Sequence, residues 1–93
     1  MKSFLEQVAE ARVTLGNFSE DQVKIVRECR DEEVRLISDF YEKEDERVWE
    51  RIKECRRDYM SQAYEDDLLD GMEWDTIYKV LEVLATLEAM AMA

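Results

Sequence analysis

The chain of 93 residues has no histidine and no proline, only two glycines (Gly16 and Gly71) and only two cysteines (Cys29 and Cys55). Each shortage excludes something. Without histidine the usual neutral-pH proton shuttle is missing, and a zinc site would have to be completed by carboxylates. Ser3, Ser19, Ser38 and Ser61 lack the His or Lys partner pattern that marks a nucleophile. Two well-separated glycines cannot make a glycine-rich phosphate loop. The scarcity of Gly and Pro also removes the turns that sheets and long loops require. The cysteines have no CxxC spacing and fall inside helical patterns, so they read as small buried hydrophobes in a reducing, cytoplasmic setting. Basic residues are scarce as well: 13 Lys and Arg against 24 Asp and Glu give a net charge of −11. That balance argues against direct contact with nucleic acid or an anionic membrane, and it favours a basic protein partner or simple solubility.

What is present builds helices. Apolar residues make up 46% and charged residues 40% of the chain, a composition that folds rather than stays disordered. Glu6, Glu10 and Arg12 break any apolar run after Lys2, so no signal peptide is expected. Residues 76–93 are apolar but short and carry Lys79, Glu82 and Glu88, so a core helix is expected there and no membrane span.

Three helices are expected in a single domain over residues 1–93. Helix 1, about 4–15, opens at a Ser3–Glu6 capping box and presents Phe4, Val8, Ala11 and Leu15 on one face. Gly16 follows as a left-handed cap. Helix 2 opens at a Ser19–Gln22 box with Phe18 and Val23 as a hydrophobic staple. Its apolar period then runs without Gly or Pro through Val26, Val34, Ile37, Tyr41, Val48, Ile52, Cys55 and Tyr59. The spacing predicts a helix over about 20–64, which would be about 65 Å long. A helix of that length needs a partner chain, and Val48, Ile52 and Tyr59 mark its seam in a homodimer. The competing reading is a break within 42–46 that yields a compact four-helix bundle. Trp49 and Tyr59 read as core aromatics. Helix 3, about 76–91, is capped by Asp75 after a connector turning at Gly71, and its apolar circumference suits the core. The expected fold is thus all-α, a helical bundle around one long central helix, with a short N-terminal helix and an apolar C-terminal one.

Two acidic groups are candidate binding sites. Glu42, Glu46, Glu50, Glu54 and Asp58 recur at four-residue spacing. On one helix they make a carboxylate stripe with a step of about 6 Å. Such a row either forms a solvated face or occupies the basic groove of a nucleic-acid-binding protein. The second group, Glu65, Asp66, Asp67, Asp70 and Glu73, surrounds Gly71. Aligning Gly71 with an EF-hand glycine puts Leu68 and Ile77 at ligand positions, so that motif fails. No metal and no cofactor is expected.

In size, helicity and acidity the chain resembles the nucleic-acid-mimic inhibitors of phages and mobile elements, including antirestriction and anti-CRISPR proteins. The resemblance implies a non-enzymatic inhibitor that engages a basic protein through its acidic face. The alternative is a structural or adaptor subunit whose apolar seams do the work. A further alternative comes from Glu28–Asp31 and Glu42–Asp45, which each fit E-x-x-D. These are similar to the carboxylate pairs of Mg²⁺-dependent, all-α nucleotide pyrophosphatases of the MazG type.

Overall fold

The computed structural model describes residues 1–43 and 46–92. Among them the chain is all-α, with four helices and no strand: α1 (Phe4–Gly16), α2 (Glu20–Lys43), α3 (Val48–Glu65) and α4 (Gly71–Met92). No described helix is long and apolar enough to cross a membrane.

The expected single helix over 20–64 is two helices. α2 ends at Lys43 and α3 begins at Val48, with residues 44 and 45 of the 42–46 break outside the described set. The pair folds back into an antiparallel hairpin: Phe40 meets Trp49 at 6.0 Å between ring centroids, and Glu33 meets Arg56 at 2.8 Å. The longest dimension of the molecule is 40 Å, well short of the roughly 65 Å a continuous helix would need. The apolar period crosses the break because each helix turns its apolar face toward the other. Part of the face that had called for a partner chain, at Val48, Ile52 and Tyr59, is thus met within the same chain, while Val34, Ile37 and Tyr41 stay exposed.

Local signals set most boundaries. Ser3 Oγ accepts from the Glu6 amide at 3.2 Å at the start of α1. Ser19 and Gln22 complete a reciprocal box at 2.9 and 3.2 Å at the start of α2. The Gln22 amide also donates to the Leu68 carbonyl at 2.8 Å, tying this cap to the α3–α4 connector. Gly16 is not a left-handed cap: it is the last residue of α1, and closure falls at Asn17 with φ −79°.

The end of α3 and start of α4 differ from expectation. The Leu68 amide donates to Ala63 at 2.9 Å and the Asp67 amide to Tyr64 at 3.1 Å, while Asp67 takes φ 52°. This is a Schellman closure with aspartate in the place glycine usually fills. α4 then starts at Gly71, five residues before the expected start at 76. Its cap is Asp70, not Asp75: Asp70 Oδ1 accepts from the Glu73 amide at 2.8 Å, and Glu73 Oε1 accepts from the Asp70 amide at 3.2 Å. The early start puts Trp74 in the first turn, where it is 2% exposed.

The core lies where all four helices meet. It joins Ile25, Val26 and Cys29 of α2, Ala63 of α3, and Trp74, Ile77 and Leu81 of α4, with Leu15, Phe18, Tyr59 and Met60 packed against it. α4 packs against both α1 and α2, as its apolar circumference requires. The extents of 40 × 38 × 19 Å describe a flat molecule. The α2–α3 pair and the α1–α4 pair each run outward from this shared core.

Candidate binding surface and the buried carboxylate beneath it

Helix α2 lays Val26, Arg30 and Glu33 toward α4. The same face continues through Val34, Ile37 and Tyr41, which are exposed, Tyr41 at 78%. Across the hairpin Trp49 is 55% exposed. It leans on Phe40, which also meets Tyr41 edge-on at 5.8 Å. The tip of the hairpin is thus an uncovered apolar and aromatic surface. Trp49, expected in the core, is on this surface instead. The turn redirects the chain, and the core gathers at the opposite end.

The acidic stripe is divided by the same turn. Glu42 ends up on α2, Glu46 in the turn, and only Glu50, Glu54 and Asp58 share a face of α3. All five are exposed, and Lys53 approaches Glu50 at 3.6 Å. Glu42 follows Tyr41 and Glu50 follows Trp49 in the chain, and Glu46 lies in the turn between them, so exposed carboxylates cluster at the aromatic tip together with Lys43, Arg47 and Arg51. The proposed seam is spent internally: Val48 is 5% exposed, Ile52 and Tyr59 are half-buried, and Tyr59 packs on the core.

The second acidic group has structural work. Asp66 caps α3, Asp67 supplies the left-handed turn, and Asp70 and Glu73 cap α4; Glu65 ends α3 and is exposed. No group of acids or cysteines among the described residues is arranged to hold a metal ion. Glu28, Asp31 and Glu42 all lie on α2, and Asp45 falls outside the described residues. The three described acids of the E-x-x-D pairs therefore share one helix.

Beneath the surface is a polar cluster that the periodicity did not single out. Glu33, 5% exposed, sits on the core face of α2. Arg56 of α3 donates to it through Nε at 2.8 Å and Nη2 at 2.9 Å. Tyr78 of α4 donates through Oη at 2.6 Å, and Cys29 Sγ approaches at 3.5 Å. Arg56 Nη2 also donates to Tyr78 Oη at 2.8 Å, with the guanidinium carbon 4.7 Å from the Tyr78 ring centroid. Each Glu33 oxygen receives two donors, so the carboxylate is saturated. The signal that could have found it is an acid inside the apolar stripe, between Cys29 and Leu36.

Electrostatics follow from this packing. Burial pushes the Glu33 carboxyl upward, but the hydrogen bonds and charge of Arg56, with the Tyr78 and Cys29 donors, outweigh it and leave it below the ordinary carboxylate value. Tyr78 is pushed up to about 12 by burial and by its bond to the Glu33 charge. Burial, then the Glu33 charge, raises the Cys29 thiol. Burial, then the charges of Glu32 and Glu33, raises Cys55, opposed by a hydrogen bond with Cys29. An ionised, saturated carboxylate with no open side is a clamp joining α2, α3 and α4, not an acid or base for catalysis.

No family model, no curated protein and no solved structure matches this chain.

Proposed function

We propose that this chain is a non-enzymatic binding module that engages a basic protein through the tip of the α2–α3 hairpin. The observation that carries the reading is the exposure of Val34, Ile37, Tyr41 and Trp49 on the hairpin together with exposed Glu42, Glu46 and Glu50 at its turn. Aromatic anchors supply contact energy, and the acidic excess at the tip, where Lys43, Arg47 and Arg51 stand among the carboxylates, steers and selects an oppositely charged partner. The net charge of −11 extends that field over the whole molecule. The partner class is a basic protein surface, with nucleic-acid-binding proteins as its main members. Inhibition by occupying such a surface is the corresponding mode of action.

The test is affinity capture at low and high salt, comparing the native chain with Tyr41→Ala/Trp49→Ala and with Glu46→Gln/Glu50→Gln/Glu54→Gln. The reading expects a basic protein retained by the native chain, lost with either variant, and released by salt. Retention by both variants would sink it. The adaptor reading is favoured by a different observation, the exposed Leu5, Val13 and Met90 on the α1–α4 pair. It expects a partner that survives high salt and both tip variants, and is lost with Leu5→Ser/Val13→Ser.

A further inference from the structure

The two cysteines of the chain lie 26 positions apart in sequence, yet the hairpin brings them together. Cys29 is fully buried on α2, and Cys55 is half-buried on the facing side of α3. Two contacts fix the neighbourhood. Glu33 Oε1 receives Cys29 Sγ at 3.5 Å and Arg56 Nε at 2.8 Å, and Arg56 is the residue next to Cys55. Each thiol also feels the other electrostatically across the hairpin. Both are free in this structure.

We propose that Cys29 and Cys55 form a latent disulfide site, closed by low-molecular-weight disulfides, that fastens α2 to α3 without altering the fold. The sequence of steps follows from exposure. Cys55 is the accessible member, so its thiolate attacks the small disulfide and displaces one thiolate, leaving a mixed disulfide on Cys55. Cys29, on the facing helix, then attacks Cys55 Sγ, forms the Sγ–Sγ bond, and displaces the second thiolate. Overall two protein thiols are oxidised and one small disulfide is reduced to two thiols, with the protons passing to the released thiolates. Glu33 loses the Cys29 S–H donor but keeps both Arg56 bonds and the Tyr78 bond, so the clamp survives the change. Closure would fasten the middle of the hairpin while leaving Tyr41 and Trp49 at the tip uncovered.

Reduced protein equilibrated in a buffer of reduced and oxidised glutathione, quenched with acid, and analysed by intact mass and peptide mapping tests the site. The expected species is an internally cross-linked monomer, two mass units lighter, with the Cys29 and Cys55 peptides joined. A cross-link that fits the native structure is favoured by folding, because folding has already brought the thiols together. The equilibrium constant for closure in buffer should therefore exceed that in urea by roughly thirtyfold or more, the range a stabilising disulfide implies. Equal or lower closure in buffer than in urea would overturn the proposal. So would glutathione left on Cys55, or cross-linking only between chains. Cys29→Ala should convert the product to a stable glutathione adduct on Cys55, and failure to form that adduct would overturn the assignment of Cys55 as the entry thiol.

Discussion

The two ends of the α2–α3 hairpin use similar residues for opposite purposes. Near the core, Glu33 is buried, saturated with donors, and flanked by residues that have no contact with water, such as Val26 and Cys29. At the tip, Glu42, Glu46 and Glu50 are solvated and stand beside aromatic rings that nothing in the described chain covers. A buried acid held by three helices stabilises one arrangement of the chain, because removing a partner leaves a charge stranded. An exposed acid beside an exposed ring contributes little to folding and is available to a partner. On the proposed reading, stability belongs to the buried part of the hairpin and recognition to its tip.

Several substitutions can break or sharpen that division. The largest effect is expected at Trp74, 2% exposed in the core: Trp74→Ala should cost about 3–5 kcal/mol in urea unfolding. Arg56→Ala should come next. It removes the charge partner of Glu33, but its own side chain is 46% exposed, so a discounted cost of about 2–3 kcal/mol is expected. The same pair sets a pH dependence. The Glu33 carboxyl is depressed in the fold, so its contribution is complete above the ordinary carboxylate value and is lost as pH falls through the lower, folded value. Arg56→Ala relieves that depression, so the stability gap between the variant and the native chain should be widest near neutral pH and narrow as pH falls through the native folded value, read by urea unfolding at each pH. A smaller change of opposite sign is expected at Asp67, with φ 52°: Asp67→Gly should stabilise by up to about 1 kcal/mol, read by the thermal midpoint. The smallest effect is expected at the tip, where Tyr41→Ala should change stability by no more than about 0.5 kcal/mol.

The sequence made some of this division legible and hid the rest for identifiable reasons. The Ser19–Gln22 box set the start of α2 because both partners of a reciprocal cap are local. Asp70 and Glu73 carry the same spacing, but Gly71 and Asp75 offered a competing turn and cap; the burial of Trp74, a tertiary effect, selects the earlier start. The hairpin was harder, because a 3.6-residue period describes one face of a helix and is indifferent to what covers it. A partner chain and the second half of the same segment satisfy Val48, Ile52 and Tyr59 equally well. Glu33 was visible as an acid in an apolar stripe, but its partners Arg56 and Tyr78 lie 23 and 45 positions away. The exposure of Tyr41 and Trp49 could not be read locally, since rings at helical spacing pack in a core more often than they face water.

The most direct test of the central claim is one experiment on Tyr41→Ala/Trp49→Ala, measuring thermal unfolding and capture of the basic partner on the same preparation. The account predicts a melting temperature close to native and loss of capture. Retained capture, or a fall in melting temperature as large as that of Trp74→Ala, would contradict it by showing that these rings support the fold rather than recognition.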